Sequence, residues 1–318
     1  MESWGTTIDE TSPQDTAPRH LAPGPDRHRR ETVVLGVIGV LVVAAGVAVM
    51  VVGRDGSDSS TAGDDTPSTT AGAPGGAGPS GPIVGPTGVL GSWTGTAWQP
   101  WDGGEVPGGG TDFSVVRLDE PLTTAEGRAV ADECPGAAPG STDLDLGLEA
   151  GSGGDPPPIA VAGIAKPRPR TVEVLDTDSA TYQQAAAEVA AGLGATTPAS
   201  LAQVLRGDLD GDGTDEVVAT AEHVTDPDDL TPTPGDWSAV FLRRVAGNGV
   251  GTSVVASSLA GPDGVVDRLR VSALADLNGD GTMELAVSTE SVRGVAMTVY
   301  AAEAGEAPAE VLSAGCGA

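Results

Sequence analysis

Oxygen-bearing side chains at alternate positions of a short, glycine-broken segment can ligate a hard cation, and this chain carries two such segments. One is DLDGDGTDE, Asp208 to Glu216; the other is DLNGDGTME, Asp276 to Glu284. Each places side-chain oxygens at positions 1, 3, 5 and 9 of the loop, with glycine at position 6. Calcium takes six to eight oxygens at about 2.3–2.6 Å from carboxylates, carbonyls and water. The glycine lets the backbone turn sharply at positive φ without a Cβ clash. Side-chain ligation is therefore assigned to Asp208, Asp210, Asp212 and Glu216 in the first loop, and to Asp276, Asn278, Asp280 and Glu284 in the second. Thr214 and Thr282 would offer their carbonyls at position 7. The plain alternative is an acidic turn that binds nothing. Two loops in the same frame, 68 residues apart, favour the cation.

An EF-hand would need a bidentate Glu at position 12 and flanking helices. Position 12 is Ala219 in one loop and Val287 in the other, and the segments that follow, VVATAEHV and LAVSTESV, read as strands. A D-x-[DN]-x-D-G-x-x-[DE] loop running into an apolar strand resembles the FG-GAP/VCBS repeat family over roughly residues 200–315. That resemblance implies calcium-stabilised blades of the kind found in integrin-type β-propellers and bacterial surface proteins. The family's usual Asp at position 9 is Glu216 or Glu284 here, one methylene longer.

The elements that must position the loops repeat with them, at 201–257 and 266–313. Each unit reads strand, acidic loop, strand, connection, hairpin. In the first, Leu201 to Arg206 enters the loop and Glu216 to Val224 leaves it; Ser238 to Val245 and Val250 to Ser257 then flank Gly247-Asn248-Gly249, where Gly and Asn both accept positive φ. In the second, Leu269 to Ala275 enters and Glu284 to Val292 leaves, with a weaker hairpin from Val295 to Ala301 and Glu310 to Leu312. Phe241 and Tyr300 are matched as the aromatics of the third strands, the spacing differing by an insertion around Thr225 to Asp236. Earlier strand-like runs are Phe113 to Leu118, Ile159 to Ala165 and Thr171 to Leu175. One helix is signalled: Ser179 as its cap, Tyr182, Ala186, Val189 and Leu193 on one face, and Gly192 or Gly194 at its end. The expected fold is mainly β, with four-stranded antiparallel blade-like repeats, one packed helix and no closed ring, preceded by a single transmembrane helix.

That transmembrane helix is Thr32 to Val52, 21 residues without a charge. Such a helix spans about 30 Å, the thickness of the hydrocarbon core. Arg27, Arg29 and Arg30 precede it and Arg54 alone follows closely, so the positive-inside rule puts residues 1–31 in the cytoplasm and the C-terminal region outside the plasma membrane. The run is too long for a cleaved signal peptide, and no A-x-A site follows it. Residues 1–31 and the Gly/Ser/Thr/Pro stretch 53–90 are expected to be disordered, the latter as a tether for a domain at 91–318.

Composition narrows the partners. The formal net charge is −29, and the 91–318 segment alone carries 11 basic and 35 acidic side chains. A polyanion repels nucleic acid and anionic headgroups, whereas it suits divalent cations and solubility. The two cysteines, Cys134 and Cys316, both fall on the exported side and are expected to form one disulfide. Trp93, Trp98 and Trp101 cluster at the start of the domain, as a packing strap rather than a stacking platform for a sugar. Lys166, Arg168 and Arg170, in KPRPR, are read as balancing local acid rather than meeting a wall polymer. His223 is the single histidine beyond the apolar segment, and neither G-x-S-x-G nor H-E-x-x-H occurs, so no enzyme is expected. The expectation is a membrane-anchored extracellular protein with two structural calcium ions. It would serve interaction or adhesion at the cell envelope, with a protein or wall polymer as partner. A membrane-tethered sensor with a short cytoplasmic tail is the alternative.

Overall fold

The computed structural model describes residues 78–318 apart from 104–110, 132–133, 135–141, 149–154, 227–230, 261–265, 304 and 318. The expected cytoplasmic tail, the apolar 32–52 segment and the tether up to residue 77 lie outside the described residues. No helix among the described residues is long and apolar enough to cross a membrane.

Eight short strands come first: β1 (Pro82–Gly85), β2 (Gly88–Trp93), β3 (Trp98–Pro100), β4 (Asp112–Val116), β5 (Thr123–Glu126), β6 (Arg128–Ala131), β7 (Thr142–Asp145) and β8 (Ile159–Val161). Six form an antiparallel sheet in the order β3-β2-β1-β8-β4-β5, and β6 pairs with β7 separately. The expected tether, which was to end at residue 90, thus contains all of β1 and the start of β2. Ile83, Val84, Val89 and Leu90 are buried, so 78–90 belongs to the folded unit despite its glycines and prolines. The run expected from Ile159 to Ala165 is strand only to Val161. That strand, β8, is buried throughout and lies between β1 and β4.

A short β9 (Glu173–Val174) leads to α1 (Ala180–Gly192). Ser179 stands at the helix start, though its side chain makes no capping hydrogen bond. The helix stops at Leu193, where Gly194 takes φ 78°. Ala185, Ala186, Val189 and Ala190 are buried against Val204, Ala219, Trp237 and Phe241, with Tyr182 and Leu193 packed beside them. That face is mostly alanine, so the helix can lie close to the sheet.

The two repeated units follow. The first comprises β10 (Ser200–Gly207), β11 (Glu216–His223), β12 (Trp237–Ala246) and β13 (Gly249–Leu259), extended by β9 into a five-stranded sheet, β13-β12-β11-β10-β9. The second comprises β14 (Arg268–Ala275), β15 (Glu284–Ser291), β16 (Gly294–Ala301) and β17 (Ala309–Gly317), a four-stranded meander. The Gly247-Asn248 turn closes β12 onto β13, and Gly247 has φ 62°.

Alternation along the strands sets what packs on what. In β14, Leu269, Val271 and Leu274 join Leu205, Val218, Val240 and Leu242 of the first unit, while Ala273 and Ala275 join Ile83, Leu90, Val116 and Ile159 of the six-stranded sheet. The second unit is therefore covered on both faces, and residues 271–275 of β14 and 284–288 of β15 are buried without a break for that reason. Another core lies on the far face of the six-stranded sheet, where Leu144 of β7 packs with Val84, Phe113 and Ala160. Where β14 forms the margin of its sheet, the Gln203 amide substitutes for a neighbouring strand. Its Oε1 accepts from Val271 N at 2.8 Å and its Nε2 donates to Val271 O at 3.1 Å.

Register corrects one sequence match. Phe241 pairs with Ala219, but Tyr300 pairs with Leu285, whose counterpart by loop position, Val217, pairs with Arg243. The two aromatics are not equivalent: Phe241 faces the helix and Tyr300 packs into the core between the units. The tryptophans act as packing groups. Trp98 packs on one core and Trp101 on another, and the Trp93 and Trp98 rings lie 5.1 Å apart. Cys134 and Cys316 form a disulfide with Cα atoms 5.0 Å apart, tying β17 to the chain beyond β6.

Candidate metal centre

Both acidic loops join the first and second strands of a meander, β10 to β11 and β14 to β15. Their hydrogen bonds correspond position by position. The first-position carboxylate accepts from the amides of positions 4 and 6: Asp208 from Gly211 (2.6 Å) and Gly213 (3.2 Å), Asp276 from Gly279 (2.6 Å) and Gly281 (3.0 Å). Position 3 accepts from the amide of position 5, Asp210 from Asp212 at 3.2 Å and Asn278 from Asp280 at 2.8 Å. Position 5 accepts from position 7, Asp212 from Thr214 at 2.7 Å and Asp280 from Thr282 at 2.6 Å. Glycine is required at position 4 as well as position 6. Gly211 and Gly213 have φ 82° and 87°, and Gly279 and Gly281 have φ 80° and 90°.

The glutamates at position 9 gain a structural explanation. Glu216 Oε2 accepts from Leu209 N at 2.8 Å, and Glu284 Oε2 accepts from Leu277 N at 2.7 Å. Each glutamate thus reaches across the loop to position 2, whose leucine is wholly buried. One carboxylate oxygen fastens the loop and the group remains beside the other acids.

Oxygens of Asp208, Asp210 and Glu216 all lie within 4.8 Å of one another. Asp212, exposed at the loop tip, is not one of this close set. The second loop has the amide of Asn278 where the third carboxylate would be, and Asn278 Nδ2 donates to Asp280 Oδ2 at 3.0 Å. The side-chain donor set is all oxygen, with no nitrogen or sulfur ligand, which matches a hard cation.

Electrostatics differ between the loops. Burial pushes the Glu284 carboxyl well above its ordinary range, and the charges of Asp280 and Asp276 push the same way against the Leu277 hydrogen bond. Glu216 and Asp276 are also raised, chiefly by burial, with Asp210 and Asp212 adding to Glu216 and Asp280 adding to Asp276. Carboxylates crowded in this way favour either a proton or a cation.

Sequence reading missed the group that joins the loops. Arg170 Nε donates to Asp208 O, and its Nη2 donates to Leu209 O (2.7 Å) and to Gly281 O (2.6 Å). Met283 N also donates to Leu209 O at 2.8 Å, and Asp276 N donates to Pro167 O at 2.8 Å. The KPRPR segment is therefore a strap across the loops. Its Arg168 donates to the backbone carbonyl of Glu120 at 2.6 Å, beside the charge of Asp119. No signal short of the fold gives Arg170 this place, because Gly281 is 111 residues away.

A cavity of about 500 Å³ lies against the second loop, with Asp276, Asp280, Ile164 and Lys166 in its wall, and others lie away from the loops. One of about 590 Å³, with Arg268, Glu290, Pro156 and Pro157 in its wall, is at the opposite end of β14 and β15. No family model matches the chain, and neither a curated protein nor a solved structure does.

Proposed function

We propose that this chain is a membrane-anchored, exported protein whose β-rich domain binds two structural calcium ions and acts as an interaction or adhesion module of the cell envelope. The observation that carries the reading is the position-by-position agreement of the two loops. Two stretches 68 residues apart adopt one hydrogen-bonded form, with glycines at positive φ at the same two positions. A turn that only reversed the chain would not need four acceptor side chains aimed inward twice.

In this reading Asp208, Asp210, Asp212 and Glu216 hold one ion, and Asp276, Asn278, Asp280 and Glu284 the other, with the Thr214 and Thr282 carbonyls contributing. The ion neutralises acids that burial and mutual repulsion otherwise penalise. Its part is structural: it ties the exit of one strand to the start of the next. The units would correspond to FG-GAP/VCBS-type blades, and the apolar 32–52 segment would anchor them with the domain outside. The disulfide supports the exported orientation, since such bonds persist in oxidising compartments.

The test is thermal unfolding of the full-length chain in chelator and in millimolar calcium. At 100 times the dissociation constant, ligation adds about 2.7 kcal/mol. For a domain of this size that raises Tm by roughly 5–10 °C. An unchanged Tm would leave two acidic turns and no metal.

A further inference from the structure

Three residues that join the loops sit between or beside the positions assigned to the cation. Leu209 lies between Asp208 and Asp210. Gly281 and Met283 flank Thr282. Leu209 O accepts from both Met283 N and Arg170, and Arg170 also holds Gly281 O and Asp208 O. Neither loop can shift its ligand positions without moving an atom that the other is bonded to. The approach is close as well: a Cβ on Gly211 would stand 3.0 Å from Arg170 Nη1. Arg170 is also a charge in place, with Nε 3.8 Å from Asp208 Oδ1. Lysine could not do the same work, because a single ammonium lacks the planar fork that serves several carbonyls at fixed angles.

We propose that Arg170 is a positioning residue that couples the two acidic loops, so that filling the second loop prepares the first. This rests on the calcium reading above. Cation binding at the second loop fixes Thr282 and with it Gly281 and Met283. Those residues hold the guanidinium and Leu209 O, which fix Asp208 and Asp210 in turn. Coupling of this kind is reciprocal, so filling the first loop must favour the second by the same factor.

Calorimetric calcium titration of the full-length chain tests this with Asp280→Asn, Arg170→Gln, Arg170→Lys and the two double variants that combine Asp280→Asn with either arginine change. Asp280 is exposed, and its asparagine variant keeps an acceptor for Thr282 N. With Arg170 present, Asp280→Asn is expected to weaken calcium at the first loop by about five-fold or more, the lower range of measured couplings. In either arginine background the same change should cost the first loop less than about two-fold, so lysine fails to rescue although it keeps the charge. A second measurement does not depend on the arginine variants reaching full stability. In Asp210→Asn, which removes a carboxylate of the close set from the first loop while keeping an acceptor for Asp212 N, added calcium should still slow amide exchange at Gly211 and Gly213. First-loop affinity indifferent to Asp280→Asn, or an equal loss with and without Arg170, overturns the coupling and leaves two independent calcium sites. A wild-type chain that takes up no calcium overturns the calcium reading itself.

Discussion

The first meander, β10 to β13, lies between the helix and its sister, and β13 is the margin of its sheet; the second, β14 to β17, is packed on both faces. Their loops follow this contrast. At positions 1 and 3, Asp208 and Asp210 are half-buried, whereas Asp276 and Asn278 are each 5 % exposed; Asp212 and Asp280 are both exposed, and Glu216 and Glu284 both buried. The loop with more water around it carries four carboxylates, and the more buried one carries three and a neutral amide. Burial makes each extra negative charge costlier, so the same backbone form tolerates fewer carboxylates where it is drier. Arg170, next to Asp208, offsets part of the first loop's larger charge.

The contrast can be broken most sharply in the cores. Leu285→Ala, in the doubly covered sheet, should cost about 2–5 kcal/mol, whereas Val217→Ala at the matching, half-buried position should cost far less. Chemical denaturation measures both, and equal losses would show that the second unit is no tighter than the first. Next comes the disulfide, which fastens β17 at the margin of the second unit while β13 of the first has no such tie. Replacing Cys134 and Cys316 with alanine should cost about 2–5 kcal/mol in denaturant titration.

Metal-dependent effects are smaller. Asp212→Ala should lower the calcium-dependent part of Tm more than Asp280→Ala, by a few degrees in differential scanning, because the first loop offers more negative charge. The reverse order would mean that burial outweighs ligand charge.

The smallest effect is on pH. Glu284 has its folded-state pKa raised by burial, so the stability it contributes is full below its unfolded value of 4.5 and is lost as pH rises through the folded value. Metal-free protein should accordingly become more stable as pH falls from neutral towards 4.5, with Glu216 and Asp276 acting in the same direction. Asp236 moves the other way: burial raises it, but hydrogen bonds from Thr233 and Thr225 outweigh that, and its contribution is lost only below 3.8. Glu284→Gln should flatten the slope of Tm against pH more than Glu216→Gln does. A slope untouched by Glu284→Gln would assign the effect to other groups.

Much of the repeated region was legible because its signals are local. The loop glycines, the Gly-Asn turn and the strand alternation each act within a few residues, and all four strands of both units lie where the pattern put them. The helix and the cysteine pair were legible for similar reasons of spacing and compartment. The six-stranded sheet was not. Its centre pairs β1 with β8, Ile83 opposite Val161, and no local pattern reports a partner so distant. The segment PIVGPTGVLGSW reads as linker by composition, and only burial turns it into β1 and β2. At the candidate site the acids were visible, but the place of Arg170 and the need for glycine at position 4 of each loop were not. The arginine's partners are spread over more than a hundred residues, and position 4 takes its conformation from amides folding back on the first aspartate.

The alanine-faced helix on the first unit and the β6–β7 hairpin near the six-stranded sheet's far face bear on assembly. Sheets that stack face to face have no intrinsic stopping rule, since each apolar face invites another sheet. Here the outermost faces of the row carry a helix and a hairpin instead, so its length is fixed by its ends. A chain lacking residues 176–196 would leave Val204, Ala219 and Phe241 bare and could add a sheet from a second molecule. The helix therefore works as a terminator, and removing it should make the chain associate with itself in a concentration-dependent way.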